Sequence, residues 1–224
     1  MALFKFKSTE NLKAFNRDIK TFYNNQIWFS GLESLNDPFE KVYSSNVFNT
    51  RINNKELVEK LFLPFKYNVD VFYKKVGILS LCNNAKNLVM WSHYANNYKG
   101  YCVEYILNEN VLNRLNFSDQ SEIFLFPIEY EETPIDFLTF PSKLQFFLRR
   151  KSKLWSYENE FRFISPKTGL HNIPENAIKA IYLGVFIDES IENILKTLCL
   201  NKNIELYKTV LSKNSYELFF ERIF

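Results

Sequence analysis

The chain has 224 residues, with a hydrophobic fraction of 46% and a charged fraction of 24%, which suits one globular domain and excludes a disordered chain. Only 5 Gly and 7 Pro occur, which excludes collagen-like and Pro-rich classes. Lys and Arg number 28 against 25 Asp and Glu, a formal charge of +3 that makes no case for a nucleic-acid or anionic-membrane surface.

Leu3 to Phe6, interleaved with Lys5 and Lys7, reads as a half-buried strand. Ser8 and Thr9 offer N-caps to a helix running to about Tyr23. Gln26 to Ser30 reads as a strand, and Asn36-Asp37-Pro38 is the strongest turn signal after it. Asn53 to Tyr73 has helical spacing. Val76 to Cys82 is a strand, Leu88 to Asn96 a short helix, Gly100 to Ile106 a strand and Glu109 to Leu115 a helix. Glu122 to Glu131 is one strand with Pro127 at an edge or bulge. Ile135 to Trp155 favours helix, which Pro141 must break or restart.

Tyr157 to Ile164 reads as a strand with Glu158, Glu160 and Arg162 on one face and Phe161 and Phe163 on the other. His171 falls in a loop-like segment without partners. Ala177 to Gly184 is an apolar strand, followed by a helix from Ser190 to Leu200 and strands over Ile204 to Val210 and Glu217 to Ile223. With no linker and no repeat, the expectation is one α+β domain over residues 1–224, a mixed or antiparallel β core with flanking helices.

Cys82, Cys102 and Cys199 form no C-x-x-C pair, so they read as buried thiols in a reducing compartment. Charges break the apolar run of MALFKFKSTE, unlike a signal peptide. No stretch approaches the ~18 apolar residues of a membrane span. The expected location is the cytoplasm, away from any membrane.

Three segments could carry chemistry. Asn36 to Glu40 is either simple turn chemistry or a rigid polar loop at a pocket, with Glu40 as an acid or base. Met90 to Tyr94 places His93 among aromatics, as a core histidine or a ligand. No H-x-x-x-H pair accompanies it, so no metal is expected. A Cys82–His93 nucleophile pair lacks an activating signature. Lys151 to Arg162 holds Glu158 and Glu160 two apart. Such neighbours repel, and burial would raise the pKa of one while Arg162 compensates the other. A solvated charged face is the alternative. The phosphate loop, dinucleotide fingerprint, nucleophile elbow and zincin motifs are all missing.

Five pieces in order resemble the DUF2971 family of bacterial and phage proteins: LFKFK, IWFSGLESLNDPFE, GILSLC, LVMWSHYANNYKGYCVEY and KSKLWSYENEFRF. AIKAIYLG follows as it does in the family, so the resemblance runs over roughly residues 3 to 185. The family usually shows Arg near Lys7, and Ser-x-Ser where this chain has Ser80-Leu81-Cys82. Its name carries no activity.

The motif order also resembles an ADP-ribosyltransferase: a basic residue on an early strand, Ser on a middle strand, Glu-x-Glu on a late one. That likeness implies an ADP-ribosyltransferase-like fold and an NAD-consuming transferase or glycohydrolase, acting in phage defence or as a toxin, with NAD as co-substrate. It implies Glu158 and Glu160 as the catalytic pair. Glu160 would stabilise positive charge on the ribose, and Glu158 would orient or deprotonate a protein or nucleic-acid acceptor. Lys5 or Lys7 would hold pyrophosphate, Trp91 or Tyr94 would stack on a ring, and His93 would bond a ribose hydroxyl. Asn36, Asp37, Ser80 and Arg162 complete the expected nucleotide site. Two other classes remain open. One is a non-enzymatic module that binds a nucleotide or a protein. The other is a metal-dependent nuclease using Asp37, Glu40, Glu158 and Glu160, which the small net charge disfavours.

Overall fold

In the computed structural model, which describes residues 1–41, 60, 67, 68, 70–118, 122–134 and 148–224, the first strand is apolar on both faces. Strand β1 (Ala2–Lys7) sends Leu3 into a core shared with Phe15 and Phe22, and Phe6 into a second core with Trp91, Cys102 and Tyr182. It is therefore a covered central strand rather than a half-buried one. Helix α1 (Leu12–Tyr23) supplies Phe15 and Phe22. Its N-cap is Asn11, whose side chain accepts from the amides of Lys13 and Ala14. Neither expected cap serves: Ser8 accepts from the Glu10 amide, and Thr9 donates to the Lys99 carbonyl.

The other strands are β2 (Gln26–Gly31), β3 (Gly77–Cys82), β4 (Tyr101–Ile106), β5 (Phe124–Pro127), β6 (Glu129–Glu131), β7 (Arg150–Ser152), β8 (Glu160–Ser165), β9 (Gly169–Asn172), β10 (Ile178–Leu183), β11 (Glu205–Leu211) and β12 (Leu218–Arg222). Helices α2 (Leu88–Tyr94), α3 (Glu109–Asn116) and α4 (Glu189–Lys202) lie between them. Ten strands make one mixed, mostly antiparallel sheet in the order β12-β11-β10-β4-β1-β3-β2-β9, with β8 on β3 and β5 on β8. Its parallel pair is β10–β11, where α4 provides the crossover that parallel neighbours need. Strands β6 and β7 form a separate small sheet. This is the expected single α+β domain.

The feature that builds the site is a split in the sheet. Strand β3 pairs with β8 from end to end. On its other edge it meets β1 only at Phe4–Cys82, and β2 only at Ser30–Ile78 and Gly31–Gly77. Strands β1 and β2 diverge between those contacts and leave the middle of β3 open.

Several expectations need correction. The single strand over Glu122 to Glu131 is two, because Ile128 turns out to donate its amide to the Glu160 carbonyl. Pro127 ends β5, an edge strand, where a missing N–H is tolerated. The helix expected over Ile135 to Trp155 does not reach Trp155. Residues 135–147 lie outside the described residues, and beyond them come β7 and a 3₁₀ turn, Lys153–Glu158. Within Asn53 to Tyr73, residues 60, 67, 68 and 70–73 are helical and the rest lie outside the described residues. His171 sits in β9, not in a loop, and is buried with partners: Ser165 Oγ at 2.8 Å from Nε2 and the Gly169 carbonyl at 3.1 Å from Nδ1. The three cysteines are free and buried. Among the described residues no helix is long and apolar enough to cross a membrane.

Candidate functional site

Alternation along β3 and β8 sorts the site from the core. Leu79, Leu81 and Phe163 enter the α1-side core. Ser80, Cys82, Glu160 and Arg162 alternate with them onto the other face, where Ser80 pairs with Arg162 and Cys82 with Glu160. Glu158 arrives differently. The expected strand over Tyr157 to Ile164 starts only at Glu160, and Glu158 ends the 3₁₀ turn before it. Asn159 between them is left-handed, with φ at 44°, a conformation Asn tolerates better than most residues. The E-x-E-x-R alternation thus mimics strand periodicity that the backbone does not follow. Both carboxylates still reach one place.

That place is a buried ion network. Arg162 donates from Nε and Nη2 to the two oxygens of Glu160, each at 2.9 Å. It donates from Nη1 and Nη2 to the two oxygens of Glu40, each at 2.8 Å, and from Nη1 to the Leu148 carbonyl at 2.9 Å. All five guanidinium N–H groups are thereby engaged within the protein. Lys151 Nζ lies 2.6 Å from Glu158 Oε2, 3.4 Å from Glu160 Oε2 and 3.9 Å from Glu40 Oε1. Its ammonium also stands over the Trp155 ring, 4.6 Å from the centroid. Three carboxyl groups, those of Glu40, Glu158 and Glu160, thus gather around the two cations.

The two neighbouring glutamates diverge electrically. Burial pushes the Glu160 carboxyl up, but the charges of Arg162 and Lys151, with hydrogen bonds from Arg162 and Ser80, hold it down at about 2. Burial also pushes Glu158 up, and here Lys151 and the Tyr94 hydroxyl only partly offset it, so it stays above the usual carboxylate value. A carboxylate takes about four hydrogen bonds. Glu160 accepts two from Arg162 and a longer one, at 3.4 Å, from Lys151. Glu158 receives one from Tyr94 on Oε1 and one from Lys151 on Oε2, and keeps acceptor capacity on both oxygens.

The network forms one wall of a cleft of about 240 Å³ at the split in the sheet. Of the residues singled out from sequence, Lys5, Asn36, Glu40, Ser80, Cys82, Tyr94, Glu158, Glu160 and Arg162 line it. Four others lie elsewhere. Lys7 pairs with Asp18 of α1 at 3.0 Å. Asp37 accepts from the Phe39 amide and lines a neighbouring hollow. Trp91 is wholly buried, its indole N–H bonded to the Ala85 carbonyl at 2.7 Å. His93 is exposed, with Nδ1 3.3 Å from the Tyr157 hydroxyl. Sequence reasoning missed Lys151, because a lysine seven residues before Glu158 has no local pattern that marks it.

Helix α2 delivers Tyr94. Its N-cap Asn87 also donates to the Tyr157 carbonyl at 2.5 Å, tying α2 to the turn that carries Glu158. Asn96, Asn97 and Tyr98 then form three successive left-handed residues. Tyr98 is held there by stacking on Trp91 (centroids 6.1 Å apart) and by donating to the Leu88 carbonyl at 3.0 Å. Gly100 completes the turn, since a Cβ there would stand 2.0 Å from the Lys7 carbonyl oxygen.

A family model described as a protein of unknown function, DUF2971, matches residues 90–163. The resemblance read from the motifs is therefore shown over that stretch, which contains Tyr94, Lys151, Glu158, Glu160 and Arg162; Lys5, Asn36, Glu40 and Ser80 lie before it. No curated protein and no solved structure matches the chain, and nothing here ties the fold to ADP-ribosyltransferases.

Proposed function

We propose that the cleft is the active site of an enzyme that breaks a glycosidic bond, namely the nicotinamide–ribose bond of NAD, as an ADP-ribosyltransferase or NAD glycohydrolase does. The observation that supports this reading is the pair Glu158 and Glu160, held beside a cleft by one ammonium with their pKa values displaced in opposite directions. Glycoside cleavage asks for that division of labour. One carboxylate stays ionised beside the positive charge that develops on the sugar, and another group handles a proton.

Glu160 supplies the fixed negative charge, and beside Arg162 and Lys151 its oxygens have little acceptor capacity left. Glu158 has that capacity, so it is the residue that touches substrate, bonding a ribose hydroxyl or taking the proton of a water or acceptor group. Glu160 and Glu158 thus keep the parts that the motif order suggested, charge stabilisation and proton handling. Tyr94 positions Glu158 by donating to it, and Asn36 and Ser80 offer further polar contacts in the cleft. A volume of about 240 Å³ falls below the ~300–1,000 Å³ of drug-sized sites, so the cleft takes the nicotinamide riboside end and leaves the rest of the dinucleotide at the mouth. A sheet split at its active site suits an ADP-ribosyltransferase-like layout, and NAD consumption suits a toxin or phage-defence role.

The test is nicotinamide release from NAD by the purified protein. Release is expected, and Glu158→Gln should lower turnover by ~100-fold or more with the melting temperature preserved. Absence of release from the wild-type protein, with or without protein and nucleic-acid acceptors, overturns the reading.

The internal saturation of Arg162 and Glu160 also fits a second reading, a non-enzymatic nucleotide-binding cleft. That reading expects a thermal shift with NAD and no product. The nuclease reading fares worse. The oxygens of Glu40 and Glu160 that a divalent cation would need already accept from Arg162 and Lys151, and Asp37 lines a separate hollow.

A further inference from the structure

Because β1 leaves β3 after Phe4–Cys82, the Ser80 carbonyl has no strand partner on that edge. The Lys5 side chain fills the opening, and its Nζ donates to Ser80 O at 2.9 Å. Among the described residues no carboxylate forms an ion pair with it. Its amine thus sits in the wall of the cleft that Glu158 and Tyr94 also line, on the same strand as a second lysine. We propose that Lys5 is a nucleophilic amine that forms an imine with a small aldehyde or ketone bound in the cleft.

The surroundings are those that make a lysine nucleophilic: desolvation and a neighbouring cation. Burial lowers its pKa most, and Lys7 on the same strand lowers it further. Asp18 on α1, Glu160 on β8 and Cys82 on β3 pull the other way, and the balance falls at about 8. The neutral amine is therefore well populated at mildly alkaline pH.

The reaction needs no oxidant or reductant. The Nζ lone pair forms a bond to the carbonyl carbon, and the carbonyl π pair takes up a proton, giving a carbinolamine. The hydroxyl then leaves as water while the nitrogen gives up its remaining extra proton and the C=N bond forms. Each imine releases one water. Glu158, in the same cleft and more basic than an ordinary carboxylate, supplies and recovers the proton. Asn36 and Ser80 favour a carbonyl compound that carries hydroxyl groups, such as the open-chain form of a sugar. The role does not rest on NAD chemistry.

Glycolaldehyde with cyanoborohydride, which reduces any imine to a stable amine, tests this on the whole protein with peptide mapping by mass spectrometry. At pH 8, Lys5 should be modified at least ~10-fold faster than the exposed Lys13 and Lys213, lower basicity outweighing the lower intrinsic nucleophilicity. The Lys5 rate should rise with a midpoint near pH 8, and Glu158→Gln should slow it without slowing Lys13. Lys5→Arg, which keeps a donor for Ser80, should abolish the cleft adduct in a folded protein. Modification of Lys5 no faster than Lys13, or none at all, overturns the proposal. If nicotinamide release persists in that case, the NAD reading survives alone; rapid Lys5 modification without nicotinamide release leaves this proposal standing and removes the other.

Discussion

Arg162 and Glu40 stand 122 residues apart in the chain and meet fork to fork, with two N–H···O bonds of 2.8 Å, wholly inside the protein. The pair ties the turn after β2 to strand β8 and closes one end of the cleft. Removing one member of a buried pair leaves the other charge uncompensated. Glu40→Ala should therefore cost on the order of 3–5 kcal/mol of stability, read from urea unfolding. A cost below ~1 kcal/mol would show the guanidinium finding other partners.

Glu158 and Glu160 predict opposite pH dependences. Glu160 has a folded pKa of about 2 against an ordinary 4.5, so its contribution is complete above the unfolded value and is lost as pH falls from there toward 2. Glu158 is raised, so the folded protein binds its proton more readily than the unfolded chain. Its contribution is complete below 4.5 and is lost as pH rises through the folded value. Melting temperatures followed from about pH 3 to about pH 7 should show Glu160→Gln flattening the acid loss and Glu158→Gln gaining relative stability toward neutrality. The same sign of change in both variants would contradict the divergence.

The fold was legible wherever a segment carried its own period. Strand β4 and helix α4 fell within a few residues of where their apolar patterns placed them. What the sequence hid was long-range. Lys151 becomes a site residue only because the 3₁₀ turn folds Glu158 back over it, and the bond between Glu40, itself a candidate from the turn motif, and Arg162 joins positions with no common local pattern. Trp91 and His93 misled for the same reason. A seven-residue helix shows which residues share a face, but not which face the sheet covers, and here Trp91 went to the core and His93 to solvent. His171 lacked a signal because β9 is four residues long.

The left-handed turn after α2 should be sensitive to side-chain type at Asn96. The Asn96 backbone is left-handed, with φ at 48°, and no hydrogen bond to its side chain contributes among the described residues. Asn already carries the Cβ whose crowding against the carbonyl oxygen costs ~1–2 kcal/mol, so Ala keeps that cost and Gly removes it. Asn96→Gly should therefore be more stable than Asn96→Ala by up to ~1 kcal/mol in urea unfolding, the extra backbone entropy of Gly offsetting part of the relief. A Gly variant less stable than the Ala variant would contradict the argument.

The buried His171 gives the last prediction. The Gly169 carbonyl can only accept, so Nδ1 carries the proton and donates to it; Nε2 of the neutral ring then accepts from the Ser165 hydroxyl. Burial lowers the His171 pKa below 6.5, Lys167 adds to this, and the bond to Gly169 opposes it. The unfolded chain therefore takes up a proton before the folded one does. The His171 contribution is complete above about 6.5 and is lost as pH falls from there through the folded value. Urea midpoints should decline from about pH 7 toward about pH 5, and His171→Phe, which keeps an aromatic ring against Phe29, should remove that decline. Ser165→Ala strands a buried ring nitrogen and should cost ~1–3 kcal/mol near neutrality. An unchanged slope in the His171→Phe protein would assign the acid loss to the carboxylates of the cleft instead.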